Sequence, residues 1–257
     1  MSTYVYGITH AGLPRLPAAL AGVGDPPRAV RVLRAGGVAA VVSDCPEGLR
    51  PTRRALFAHQ RVLSSVSGAA TVLPLRFGSV APDDRAVRAL LTGRSGPLRE
   101  QLELVAGRVE FTVRGMHLED VLLRGVVARD PEIQRLDAAA RASGGGTYTE
   151  RRRLGELLAE AVEAQTGRDV AAVRDGLAPL AAACRTGPGG GGLALHLAFL
   201  VDRDRAADFL TTVPRLQERL PHLELGVNGP LPPYGFAGTA GFAGLFASAG
   251  SRPLAAA

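Results

Sequence analysis

"LALHLAFLVDRDRAADFLTTVPRLQERLPHLELGVNG", Leu193 to Gly229, has the pattern of a strand, a helix and a second strand. Its opening residues are apolar enough for a central strand, and Pro214 predicts a kink or restart in the helix. "RVEFTVRGMH", Arg108 to His117, alternates apolar and polar residues and predicts an earlier strand, followed by a long helical region. The order strand, helices, strand, helix, strand predicts most of a ferredoxin-like sandwich, with one strand missing or replaced by helix.

The first half of the chain mixes strand and helix patterns. "TYVYGI", from Thr3, is typical of a strand, and Gly36-Gly37 predicts a tight hairpin turn between two more strands. Pro74 within "TVLPLRFGSV" must end a strand, bulge it or lie at an edge. A helix is expected to open at Pro51-Thr52. Its predicted inner face consists of Leu56, His59, Leu63 and Val66.

Together these patterns predict an α+β protein with two domains. A mixed N-terminal α+β domain is expected over residues 1–107. A C-terminal ferredoxin-like domain with extra helices is expected over residues 108–236. Residues 237–257 are rich in Gly and Ala and predict a flexible tail.

The net charge of +6 and the absence of Lys raise the question of nucleic-acid binding. The arginines are interleaved with acids, and aromatic residues make up only 5% of the chain with no Trp, so a solvated basic surface is favoured over a phosphate-binding one. Cys45 and Cys184 stand far apart and suggest neither a zinc site nor a disulfide framework, which fits a reduced cytoplasm. No signal peptide and no membrane insertion are expected.

Sequence motifs of enzymes are weak in this chain. None of its five histidines stands at metal-ligand spacing from another, and His196, within "LALHLAF", is favoured as a core or sheet-face histidine over a catalytic base. "GPGGGG" precedes a strand and lacks the Lys-Ser/Thr pair of a phosphate-binding loop. No Ser lies in a GxSxG context, and Cys45 has no nucleophile signature around it.

Two segments need a more specific explanation. "VLPLRFG" holds Arg76 between apolar residues, so its charge must be paired with a carboxylate or backbone carbonyls, or must face a surface. "GPLPPYGF", Gly229 to Phe236, is rigid and uncharged, and its prolines hold Tyr234 and Phe236 in an extended chain. We expect this segment to fold back across the first domain near "VLPLRFG"; the rival is direct contact of its aromatic rings with a partner.

These two segments, with the opening "YVYGI", resemble the gas vesicle protein F and L family (GvpF/GvpL), accessory proteins of gas vesicle formation. The resemblance runs in order from Tyr4 to Phe236 and does not decide between the F and L types. It implies two α+β domains, the second ferredoxin-like. It also implies no catalysis and no cofactor, a cytoplasmic location at the gas vesicle, and binding to the hydrophobic shell protein GvpA and other accessory gas vesicle proteins.

On this basis five residues are predicted to bind a partner or lock the domains together: Arg76, Phe77, Pro233, Tyr234 and Phe236. Two other classes of function stay open. One is a small-ligand sensor or enzyme on the ferredoxin-like domain, with His196 and Arg114 facing a pocket. The other is RNA binding by a basic sheet, for which only Phe111 and Phe199 offer stacking rings.

Overall fold

Contacts between Cα atoms divide the chain into two units. The computed structural model describes residues 1–17, 19–142, 145–237 and 247–248. The first unit comprises Met1–Glu110 with the described residues from Pro230 onward, and the second is Phe111–Gly229. The predicted limits at 107 and 236 stay predictions, and most of the predicted tail lies outside the described residues.

The first unit contains one sheet and three helices among its described residues. Its elements are β1 (Thr3–His10), β2 (Arg31–Ala35), β3 (Val38–Asp44), α1 (Arg53–Ala69), β4 (Val72–Pro74), β5 (Ser79–Ala81), α2 (Asp84–Gly93), α3 (Ser95–Val105) and β10 (Ala247–Ser248). The sheet order is β10-β5-β1-β3-β2, and β4 also pairs with β1. β4 ends at Pro74, as its missing N–H predicts.

Strand β1 forms the centre of the first unit's core. Tyr4, Val5, Tyr6 and Ile8 are all fully buried. A Cβ atom at Gly7 would lie 2.8 Å from Cγ2 of Val72 and 2.9 Å from the Leu73 carbonyl oxygen. Only glycine therefore allows β4 to approach β1 this closely.

The hairpin and the first helix form where the sequence predicts them. Gly36 and Gly37 have φ of +60° and +80°, the left-handed conformation that joins β2 to β3 with two residues. Thr52 caps α1 by accepting a hydrogen bond from the Ala55 N–H. The predicted inner face is wrong in one position, because Leu56 is 44% exposed. The buried residues of α1 are His59, Val62, Leu63 and Val66.

The second unit has the ferredoxin-like order of elements. They are β6 (Arg108–His117, whose first residues belong to the first unit), α4 (Glu119–Arg129), α5 (Pro131–Ala142), α6 (Tyr148–Leu177), β7 (Ala183–Thr186), β8 (Leu195–Asp202), α7 (Ala206–Arg219) and β9 (Leu223–Leu231). The sheet order is β7-β8-β6-β9. β7 is the strand missing from the sequence prediction, and it pairs antiparallel with β8.

Aromatic stacking holds the core of the second unit. The ring of Phe209 on α7 lies 4.9 Å from that of Phe111 and 5.3 Å from that of Phe199. Both strand rings are therefore buried and cannot serve as the stacking platform that RNA binding needs. Pro214 lies inside α7, which continues without the restart predicted as one alternative.

The long helix α6 begins with a capping box of Thr147 and Glu150 and packs beside α4 and α5. Leu122, Val126 and Ile133 form a small core of their own under this helical insertion. Within the described ranges, none of the helices has the length and apolar content needed to cross a membrane.

Candidate functional site

The "VLPLRFG" segment is built onto β1 in the first unit. Val72 to Leu75 are buried, and β4 pairs with β1 through Gly7 and Pro74. Beyond Pro74 the pairing continues with one more bond, since the Leu75 N–H donates to the Tyr6 carbonyl oxygen at 2.9 Å. The segment is therefore a buried part of the sheet up to Leu75, and β1 is the strand with which it pairs.

Tyr4 and His59 join this segment to α1 through a buried hydrogen-bond network. The Tyr4 hydroxyl lies 2.8 Å from His59 Nδ1 and accepts the Gly78 N–H at 3.2 Å. His59 Nε2 lies 3.1 Å from the Leu75 carbonyl oxygen. A neutral imidazole protonated at Nε2 satisfies all of these groups, with Tyr4 donating to Nδ1. We call these four residues the Tyr4–His59 network.

Burial governs the protonation of the Tyr4–His59 network. It lowers the pKa of His59 to about 4 and raises the pKa of Tyr4 far above its usual range. Both side chains are therefore neutral near pH 7. Tyr6 is held in the same way: it accepts the Val23 N–H at 2.8 Å and lies 3.0 Å from Ser43 Oγ.

Phe77 and Arg76 have different environments although they are neighbours. The Phe77 ring centroid lies 6.0 Å from that of Tyr4 and 5.9 Å from that of His59, both edge to face. The Arg76 side chain is exposed, because the chain turns toward Gly78 at this point. Its predicted carboxylate or carbonyl partner is not found among the described residues. Only its backbone carbonyl is engaged, by the N–H and hydroxyl of Ser79.

The end of "GPLPPYGF" packs onto the first unit. Pro233 is buried, Phe236 is 1% exposed, and Tyr234 is half-buried against the cluster that contains Tyr4 and Tyr6. Phe77 packs against the same cluster. The structure therefore places Phe77 and Tyr234 against one cluster, buries Pro233 and Phe236 beside Tyr234 in the chain, and leaves Arg76 exposed. We call residues 232–237 the C-terminal anchor.

A buried carboxylate holds the C-terminal anchor at its middle. The Gly235 N–H donates to Glu110 Oε2 at 2.6 Å, and Glu110 is 6% exposed. Two local turns shape the segment, with the Tyr234 and Phe236 N–H groups donating to the carbonyls of Pro232 and Pro233. Burial, and after it the negative charge of Glu110, raises the pKa of Tyr234 to about 12.

A second polar cluster, in the second unit, escaped the sequence analysis. Asp169 on α6 is 1% exposed, and its two oxygens lie 2.9 Å and 2.8 Å from Nε2 of His117 and His222. Gln165, one helical turn earlier, donates to the same carboxylate at 2.7 Å and accepts from Arg129 at 2.8 Å. The side chains of this cluster come from distant parts of the chain. In the sequence, only the spacing of Gln165 and Asp169 on one helix face could have indicated the cluster.

A cavity of about 160 Å³ lies beside this cluster, lined partly by Arg129, Gln165 and His222. Neither His196 nor Arg114 lines it; His196 Nδ1 lies 2.8 Å from the Pro188 carbonyl oxygen, and Arg114 is exposed. In the part of the chain that the structure describes, no group of three or more acidic, His or Cys side chains could hold a metal ion.

Comparison with known proteins places the chain in a family. A family model described as gas vesicle synthesis protein GvpL/GvpF matches residues 2–238. Gas vesicle protein F of a Streptomyces strain is 46% identical over 236 residues, which cover 92% of this chain and 99% of the relative. Gas vesicle protein L of the same strain is 30% identical over 263 residues, which cover 92% and 93%.

The fold is also that of a solved family member. The crystal structure of GvpF from an Anabaena strain matches with a TM-score of 0.76 at 23% sequence identity, over 92% of this chain and 98% of that one. This likeness confirms the predicted α+β fold class. The match over nearly the whole length shows that the chain belongs to the GvpL/GvpF family of gas vesicle proteins.

Proposed function

We propose that this protein is a non-enzymatic assembly factor that binds the gas vesicle shell protein GvpA and other accessory gas vesicle proteins. Membership of the GvpL/GvpF family supports a role in gas vesicle assembly. The observation that carries the proposal is the 46% identity to a gas vesicle protein F over 92% of the chain. The alternative of a small-ligand sensor has no comparable support.

The buried titratable groups support a structural role for these side chains. Both ring nitrogens of His59 are hydrogen-bonded inside the chain, and its lowered pKa keeps it neutral. A catalytic base needs access to its substrate's proton and a pKa near the working pH. His59 meets neither requirement. It is 4% exposed, and its pKa of about 4 lies far below neutral pH.

Exposed apolar side chains among many arginines suit a protein that binds other proteins. A shell subunit that is kept soluble before assembly needs a partner with apolar surface bordered by charge. In the part of the chain that the structure describes, large apolar residues with at least two-fifths of their surface exposed are Met1, Leu56, Phe57, Leu104, Met116, Leu118, Tyr148 and Leu210. Arginine pairs readily with the carboxylates of a partner at such edges.

For Phe77, Pro233, Tyr234 and Phe236 we propose an internal role. Their burial supports the idea that they fix the C-terminal anchor onto the first unit and do not meet a partner directly. Arg76 is the exposed member of the predicted set and is the one available to a partner. A role in locking two domains together stays a prediction.

Two experiments test the proposed function. Deletion of the gene should abolish or reduce gas vesicles in electron micrographs of the host, and the full chain should restore them. Tagged full-length protein, mixed separately with GvpA and with each other gas vesicle protein, should retain at least one of them on affinity resin. Normal vesicles without the gene, or no retention of any gas vesicle protein, would contradict the proposal.

A further inference from the structure

The outward face of α1 carries an aromatic side chain that the fold does not use. Phe57 is 61% exposed, and its neighbour Leu56 is 44% exposed. The Arg53 guanidinium carbon lies 5.9 Å from the Phe57 ring centroid, a cation–π contact that keeps a charge beside the ring. The sequence of α1 contains no Asp or Glu. On this helix, the apolar side chains of Leu56 and Phe57 are therefore presented to the surroundings among positive charges alone.

A groove of about 970 Å³ lies beside Phe57 in the first unit. Its walls come from α1, from the segment around residues 22–27 and from the loop at residues 46–50. Apolar lining comes from Phe57, Leu49, Pro27 and Pro46, and charged lining from Arg50, Arg54, Arg61, Asp25 and Glu47. The groove is large enough for a segment of another protein and too open to enclose a small ligand.

Some charged side chains of the groove already have partners within the chain, and others do not. Arg54 is paired with Asp25 at 2.7 Å, and Arg61 donates to the Ala21 carbonyl oxygen at 3.2 Å. The exposed side chain of Arg50 has no hydrogen bond or ion pair with any residue that the structure describes; only its backbone carbonyl is engaged, by the Thr52 N–H. It also lies at the N-terminal end of α1, where the helix dipole adds positive potential. The guanidinium groups of Arg50 and Arg61 therefore keep donors for a carboxylate.

We propose that this groove binds a protein segment that presents an apolar side chain next to carboxylates. The apolar side chain packs against Phe57 and Leu49, and the carboxylates pair with Arg50 and Arg61. A nucleic-acid backbone or an anionic lipid surface repeats its negative charge and would meet Asp25 and Glu47 as like charges, whereas a protein segment can place its carboxylates beside Arg50 and Arg61 alone. This binding site would serve the proposed assembly function. The proposal rests on that function only for the identity of the protein that supplies the segment.

Photo-crosslinking identifies the occupant. Benzoylphenylalanine is placed at position 57 of the full chain, in cells that make the complete set of gas vesicle proteins. Position 104 on α3 is the matched control, since Leu104 is 40% exposed and lies outside the groove. We expect position 57 alone to give a protein product, in which the crosslinked peptide has acidic residues close to an apolar one. Crosslinks to nucleic acid, lipid or a second copy of this chain, or no product above the control, overturn the proposal.

Point variants then test the groove's chemistry against the crosslinked partner. Phe57→Ser should weaken binding about tenfold or more, as expected for a central aromatic anchor. Arg50→Glu should weaken it strongly at low salt and less at high salt. The matched controls Leu104→Ser and Arg99→Glu, both on α3, should bind like the parent. Melting temperatures equal to that of the parent establish that the variants are folded.

The outcomes separate the groove from the assembly function. If Phe57→Ser and Arg50→Glu bind as tightly as the parent while gene deletion still abolishes vesicles, the groove proposal is overturned and the assembly function stands. If vesicles form without the gene, the assembly function fails, and the crosslink from position 57 still decides what the groove binds.

Discussion

The two faces of helix α1 hold their rings in opposite ways. Inward, His59 is 4% exposed and hydrogen-bonded at both nitrogens. Outward, Phe57 is 61% exposed, with the Arg53 guanidinium beside it. The inward face meets "VLPLRFG", one of the segments that carry the family resemblance. These segments therefore belong to the scaffold of the first unit, whereas the surface that we propose for a partner lies on the other side of the same helix.

The largest difference in stability is expected between variants that remove one buried and one exposed ring. Phe236→Ala should lower the free energy of unfolding by about 3–5 kcal/mol, because it leaves a cavity where a fully buried ring was. Phe57→Ala should change it by less than about 0.5 kcal/mol. Urea denaturation of both full-length variants measures the difference. A loss at Phe236 as small as that at Phe57 would mean that the C-terminal anchor is not part of the scaffold.

Acid should weaken the inward face through His59. Its pKa is about 4 in the folded chain and about 6.5 when unfolded, so the unfolded chain binds more protons between these values. The contribution of neutral His59 to the free energy of unfolding is therefore fully present above about pH 6.5. This contribution, roughly 3 kcal/mol, is lost as the pH falls toward 4. Denaturation from pH 4 to pH 7, compared with His59→Gln, isolates this contribution. A variant with the same pH slope as the parent would show that His59 is not the titrating group.

A smaller effect should follow from removing one hydroxyl of the Tyr4–His59 network. Tyr4→Phe keeps the ring but leaves His59 Nδ1 and the Gly78 N–H without their partner. We expect a loss of about 1–3 kcal/mol in the free energy of unfolding. Tyr148→Phe is the matched control, since Tyr148 is 75% exposed and its hydroxyl can bond to water. No loss at Tyr4 would argue against the hydrogen-bond assignment.

The smallest effect is expected at Arg76. Because its side chain is exposed and forms no ion pair with the described residues, Arg76→Ala should alter the free energy of unfolding by less than about 0.5 kcal/mol. Thermal melting of the variant measures this. A loss of several degrees would instead support the pairing with a carboxylate or backbone carbonyls that the sequence offers as one alternative.

Local patterns were sufficient for much of the fold. Gly36-Gly37 specified a hairpin because two consecutive left-handed residues suit little else, and Pro74 specified the end of β4. β7 was missed because "ACRT" is short, partly exposed and followed by glycines. Leu56 was placed inward because it stands one helical turn before His59 and two before Leu63, and sequence alone does not fix the rotation of the helix.

The candidate sites were harder to predict, because their contacts join distant residues. The anchoring of Gly235 by Glu110 spans 125 positions, and that of His117 by Asp169 spans 52. Arg76 was expected to be paired because all its neighbours are apolar, but the turn before Gly78 directs it outward. The exposure of Phe57 was equally hidden in the sequence. An aromatic residue in a helix that has an apolar face is expected on that face, and nothing in the sequence shows that Phe57 points away from it.

Hydroxyl-radical footprinting of the full chain, alone and with GvpA or another retained gas vesicle protein, tests the central claim most directly. We expect Phe57 to react strongly in the free protein and to be protected in the complex, while Phe236 is unreactive in both. Strong reaction of Tyr234 and Phe236 in the free protein, with their protection in the complex and no change at Phe57, would contradict it and make the C-terminal anchor the binding site.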